Sequence, residues 1–148
     1  MKAKDFVRRI KEIDTTMRIK NEELLRLREK AGGVGGYMDG ERVQSSRTVS
    51  DKMADEVVRY IDLRDEMVAE NFKLAKERHM IVNTLGELEP VEYDVLYSKY
   101  ASNATFDDIA DRYGKSYRWA VAKHGAALKN LQKIIDGKGI DENYWREN

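Results

Sequence analysis

Cysteine is absent from the 148 residues, and proline occurs once, at Pro90. Without a thiol there is no disulfide, no thiolate metal site and no cysteine nucleophile. An excess of one charge is missing too, because 27 Lys and Arg balance 27 Asp and Glu. No apolar run approaches the ~18 residues that a membrane span requires. The opening Met1-Lys2-Ala3-Lys4-Asp5-Phe6 sets a charge at almost every second position, where a signal peptide needs apolar residues. A soluble, cytoplasmic protein of about one domain is therefore expected. Charged residues make up 36% of the chain, above the ~25% of ordinary globular domains, which implies much solvated helix surface.

The zero net charge hides a segregation. Residues 1–50 hold 12 basic and 8 acidic side chains, residues 51–111 hold 7 and 15, and residues 112–148 hold 8 and 4. No carboxylate interrupts 112–135, where Arg112, Lys115, Arg118, Lys123, Lys129 and Lys133 stand. A basic run of this kind suits either a polyanionic partner or a helix face solvated by water.

Apolar spacing predicts an all-α chain: two long amphipathic helices, as a hairpin or a coiled coil, then a C-terminal three-helix unit. Over 1–31, Phe6, Ile10, Ile13, Met17, Lys20, Leu24, Leu27 and Ala31 alternate steps of four and three, with Lys20 the only polar member of the seam. A Gly/Ser-rich stretch, 32–50, reads as a flexible connection. The next helix occupies 51–88, with Met53, Tyr60, Met67, Leu74, Ile81 and Leu88 recurring every seven residues and Ala54, Ile61, Val68, Ala75 and Val82 beside them. Ser50 before Asp51 makes a reasonable start for it. Neither stripe is stable alone, so each needs the other or a second copy of the chain.

The unit over 89–136 opens at Pro90, suited to a first helical turn. Val91, Val95, Leu96 and Tyr100 give its first helix an apolar face. After the break Ala101-Ser102-Asn103-Ala104, Thr105 with Asp108 forms a capping box. The short helix that follows stops at Gly114. Ser116 caps a last helix to about Asp136, and a polar tail covers 137–148. Two short helices around a tight turn, the second basic, form a helix-turn-helix. Ala110 is small where such helices cross, Ala120 ten residues on packs back on the pair, and Gly114 accepts the positive φ of the turn. The second helix is expected to expose Ser116, Tyr117, Arg118, Val121 and Ala122. Arg118 can fork onto a guanine edge. Lys115 and Tyr117 can hold phosphates, with Arg112, Lys123 and Lys129 adding positive charge. Val121 and Ala122 offer close apolar approach to the groove.

From Thr105-Phe106-Asp107-Asp108-Ile109-Ala110-Asp111-Arg112-Tyr113-Gly114-Lys115-Ser116-Tyr117-Arg118 through Ala127-Leu128-Lys129-Asn130-Leu131, the sequence resembles region 4 of sigma-70-type factors. The wider span 42–135 is similar to a family of short phage-borne proteins of Gram-positive bacteria, often described as sigma-like or late-transcription regulators. Ser116-Tyr117-Arg118 and His124-Gly125-Ala126-Ala127-Leu128 carry that likeness, as does the glycine-rich stretch before a long helix. The resemblance implies a DNA-binding regulator in a bacterial host, with RNA polymerase as a further partner. It covers about two-thirds of the chain. Ala120 stands where Val or Ile is usual, and Lys123 stands where an apolar residue is usual, so Lys123 must snorkel or turn to phosphate. No counterpart of sigma region 2 is visible, which speaks against a complete sigma factor.

The remaining residues suggest no catalytic or cofactor chemistry. His79 and His124 are the only histidines and lie far apart, short of a metal-ligand set. Asp107, Asp108 and Asp111 fit dipole and capping roles better than a metal cluster. The stretch 32–40 lacks the Gly-Lys-Ser/Thr ending of a phosphate-binding loop. Gly125 costs about 1 kcal/mol inside a helix relative to Ala, which suits close approach to a helix or a phosphate. A DNA-binding regulator therefore leads. A helical assembly protein, such as a phage packaging component, is the rival, and an enzyme trails for want of a nucleophile–base or carboxylate pair.

Overall fold

The computed structural model describes residues 1–33 and 47–144. Among the described residues every regular element is a helix: α1 (Ala3–Gly33), α2 (Arg47–Leu85), α3 (Pro90–Tyr100), α4 (Phe106–Tyr113) and α5 (Tyr117–Lys138). The all-α expectation holds. Among the described residues no helix is long and apolar enough to cross a membrane. Most of the Gly/Ser-rich connection, and Trp145 in the tail, lie outside the described residues. The start of α2 differs from expectation. Arg47 is already helical, so Ser50 lies inside the helix rather than at its cap.

The chain divides into two compact units, Met1–Asp14 with Ala75–Asn148, and Thr15–Leu74. The first is larger than the unit read from sequence over 89–136, because it takes in the first turns of α1 and the last turns of α2. Phe6, Val7, Ile10 and Ile13 are fully buried in it, as are Ile81, Leu85, Leu96, Leu131 and Ile135. Ion pairs fix the flanks of the two long helices here. Arg9 clasps Glu77 through Nε and Nη2, at 2.5 and 3.1 Å, and Arg78 clasps Asp14 at 2.7 and 3.3 Å. The start of α1 rests on α5: the Ala3 amide donates to Gln132 Oε1 at 2.7 Å, and Gln132 Nε2 donates to the Met1 carbonyl at 3.1 Å. Glu92 of α3 is buried, and both its oxygens accept from Asn130 Nδ2 of α5, at 2.9 and 3.1 Å. A carboxylate left without a donor there would be costly, so this pair fixes the register of α3 on α5.

In the second unit α1 and α2 run antiparallel. Lys20 pairs with Glu70, and Asn71 donates to Asn21 at 3.0 Å. Met67 is buried, while Met17, Leu24, Leu27, Tyr60 and Leu74 are half-buried. The seam read from sequence thus has its partners within the chain. Its burial fades from Ile13 onward because a lone helix pair covers only one side of each stripe.

Candidate nucleic-acid interface

Three local signals place α4 and α5. Thr105 Oγ1 accepts from the Asp108 amide at 3.1 Å, and the Thr105 amide donates to Asp108 Oδ2 at 2.9 Å, completing the capping box. The bond donated by the Thr105 amide, then the nearby Thr105 hydroxyl, hold the Asp108 carboxyl below the usual carboxylate range. Gly114 ends α4 in the left-handed region, with φ 60° and ψ 36°, where a side chain would be strained. The Lys115 amide reaches back to the Ala110 carbonyl at 2.9 Å, closing the turn. Ser116 Oγ then accepts from the Trp119 amide at 3.1 Å and starts α5.

Beneath the turn lies a small core of Val95, Ile109, Ala110 and Ala120, flanked by Val91, Ala104, Phe106, Tyr113 and Trp119. Ala110 and Ala120 are both buried, as the close crossing of α4 and α5 requires. Ala120 is fully buried in this core, and the Tyr113 and Trp119 rings pack against it with their centroids 5.2 Å apart.

The expected reading residues separate into two groups. Lys115, Ser116, Tyr117, Arg118, Val121, Ala122 and Lys129 are all exposed. Tyr117 and Val121 are 54% and 40% open to solvent. The edge of the Tyr117 ring rests on Phe106, at a centroid distance of 5.8 Å and an interplanar angle of 86°. Arg112 and Lys123 belong to the other group. Arg112 Nη1 contacts both oxygens of Asp94, at 3.0 and 3.1 Å, and Ser98 Oγ at 3.0 Å. Lys123 Nζ meets Glu89 at 3.3 Å, so it turns toward a carboxylate rather than outward. Both hold α4 and α5 against the start and middle of α3.

Asp94 also accepts from the Tyr113 hydroxyl, a bond that raises the phenol above its usual value. Arg118, Lys115, Lys129 and Lys133 make no ion pair among the described residues. Gly125 was a candidate for helix contact. A Cβ there would meet nothing within 4 Å, so no neighbouring helix requires the glycine. It is exposed, in line with Arg118, Ala122, Lys129 and Lys133 at helical spacing. This stripe, with small residues at its centre and bases at its ends, was only partly visible in sequence. The acid-free run was the signal that outlined it.

His124 sits behind the face. Its Nε2 lies 3.0 Å from the Tyr100 hydroxyl, and Phe106 meets it edge-on at 5.2 Å. Lys99 stands over the Phe106 ring at 4.2 Å from its centroid. Burial, then the charges of Lys99 and Lys4, push the His124 imidazole below its ordinary value of 6.5. The folded state thus binds fewer protons here than the unfolded state. Stability from the neutral ring is complete above the ordinary value and declines as pH falls through it. The melting temperature of the wild type is expected to fall between about pH 7 and about pH 5, and His124→Phe to flatten that decline. An unchanged pH profile in the variant would assign the decline to other groups.

Among the described residues no cluster of three or more His, Asp or Glu is arranged to hold a metal ion. No family model matches the chain, and no curated protein or solved structure matches it.

Proposed function

We propose that the chain is a DNA-binding transcriptional regulator in which α4, the Gly114 turn and α5 act as a helix-turn-helix. One observation carries this reading. Lys115 in the turn and Tyr117, Arg118, Val121 and Ala122 in the first turns of α5 are exposed together, and Lys115, Arg118, Lys129 and Lys133 make no ion pair among the described residues. A recognition helix enters the major groove with its N-terminal residues toward the base edges. Arg118, exposed in the first turn, would fork onto a guanine in this reading, and the small Ala122 and Gly125 would allow backbone approach. Lys115, Lys129 and Lys133 are suited to phosphates.

The transcriptional role, phage or prophage origin and contact with RNA polymerase come from the resemblance to sigma region 4 and its phage-borne relatives. Binding of double-stranded DNA tested over a salt series checks the reading. Lys115→Ala should weaken all sequences alike and flatten the slope of log affinity against log salt by about 0.9. A slope of zero for the intact protein would reject the regulator. The alternative, a helical assembly protein, draws on the exposed apolar side chains of α2, Val58, Val68 and Phe72.

A further inference from the structure

Three more cations of the first unit gather beside the proposed reading face. On α5, Tyr117, Val121, His124, Leu128 and Gln132 share one flank, at steps of three and four. The start of α1 is fastened to that flank, because the Ala3 amide donates to Gln132 Oε1 at 2.7 Å. Lys4 follows Ala3, Arg8 stands one turn further on, and both are exposed. From α3, Lys99 lies over the Phe106 ring, 4.2 Å from its centroid. The same ring meets Tyr117 and His124 edge-on, at centroid distances of 5.8 and 5.2 Å. After burial, Lys99 and then Lys4 hold the His124 imidazole below its ordinary value. Tyr100 stacks on His124 with the centroids 5.8 Å apart. Burial pushes its phenol up, and the charge of Arg8 works against that push. Lys4, Arg8 and Lys99, from two helices, thus converge on one Tyr100–His124 pair.

Little neutralises these three charges. Lys4 and Lys99 make no ion pair among the described residues. Arg8 meets Asp5 at 3.9 Å, with both side chains more than half exposed, a contact worth little. Asp108, on which Lys99 also acts, is already engaged by the Thr105 amide. Like charges gathered without partners weaken a folded state and suit a polyanion. Phe106 joins this cluster to Tyr117, so the cluster and the exposed face of α5 form one continuous surface. We infer that Lys4, Arg8 and Lys99 are a second phosphate-holding surface, which grips the DNA backbone beside the groove that α5 enters. This inference rests on the DNA reading of α5 and extends the contact to α1 and α3. Such contacts add affinity and fix orientation without carrying sequence preference.

Binding of the full chain to double-stranded DNA of several sequences, over a salt series, tests it. Lys4→Gln with Lys99→Gln removes two charges and keeps much of each stem. The slope of log affinity against log salt should flatten by about 1.8, at about 0.9 per phosphate contact. Affinity near 0.1 M salt should fall roughly tenfold or more, alike for every sequence. Arg8→Gln alone should flatten the slope by about 0.9. Lys4→Arg with Lys99→Arg should keep the wild-type slope, and so should Lys76→Gln, a control at an exposed position of α2 in the same unit. If Lys115→Ala flattens the slope while the glutamine pair and Arg8→Gln leave it unchanged, this inference is overturned and the reading helix stands. A wild type without salt-dependent binding overturns both. An arginine pair that loses as much as the glutamine pair, or a loss confined to one sequence, overturns the phosphate assignment.

Discussion

Phe6→Ala is expected to lower the stability of the unit that contains α3, α4 and α5 by about 3–5 kcal/mol, the range for deleting a buried phenyl ring. Phe6 is fully buried, like Val7, Ile10 and Ile13 after it, and the neighbouring Ala3 is hydrogen-bonded to Gln132 on α5. Domains of this size have about 5–15 kcal/mol to lose, so the variant should stand near its unfolding threshold. Chemical denaturation followed by circular dichroism would show an early transition from this unit. A loss below about 1 kcal/mol would mean that the ring is not part of a tightly packed core. The prediction bears on function, since the proposed reading helix belongs to the same unit as this ring, more than a hundred positions away in sequence.

Reversing three charges together, Lys115→Glu, Arg118→Glu and Lys129→Glu, should reduce DNA affinity by roughly a thousandfold. Arg118 in a forked contact with a base contributes ~2 kcal/mol, and the two lysines add ~1 kcal/mol each through phosphates. The salt dependence should flatten by roughly 2 in slope, because two phosphate contacts at about 0.9 each are lost and three repulsions appear. All three side chains are exposed and make no ion pair among the described residues, so melting should change little. Lys73→Glu, on the exposed surface of α2, serves as the control and should leave affinity within a fewfold. Equal losses for the triple variant and the control would point to diffuse attraction rather than a reading helix. By contrast, Arg112→Ala should act on stability, since its guanidinium is committed to Asp94 and Ser98.

That contrast marks where sequence reasoning ran out. The Thr105–Asp108 box, the Gly114 turn, the Ser116 cap and Pro90 at the start of α3 were all legible, because each is set by residues within one turn of one another. Arg112 and Lys123 looked like members of the basic face. Their carboxylates, Asp94 and Glu89, lie 18 and 34 positions away, and no periodicity announces such a partner. The seam of α1 was visible along its length. Its unequal burial was not, since that depends on which other helices cover each turn. The start of α2 was placed late because a serine before an aspartate is also compatible with a helix interior when the preceding residues continue it.

The hydrogen bond between Ala3 and Gln132 spans 129 positions, and this has a consequence for how the chain matures on the ribosome. Thr15–Leu74 is contiguous, so its helix pair can form while the rest is still being made. The other unit draws its first strip of core from residues 1–14 and its last from α5. Those early residues must wait, with Phe6, Ile10 and Ile13 uncovered, until α5 emerges. Closing so long a loop is slow relative to local helix pairing, and the waiting apolar strip is the kind of surface that chaperones hold. The proposed reading helix therefore finds the core of its unit only when the waiting residues 1–14 can close onto α5.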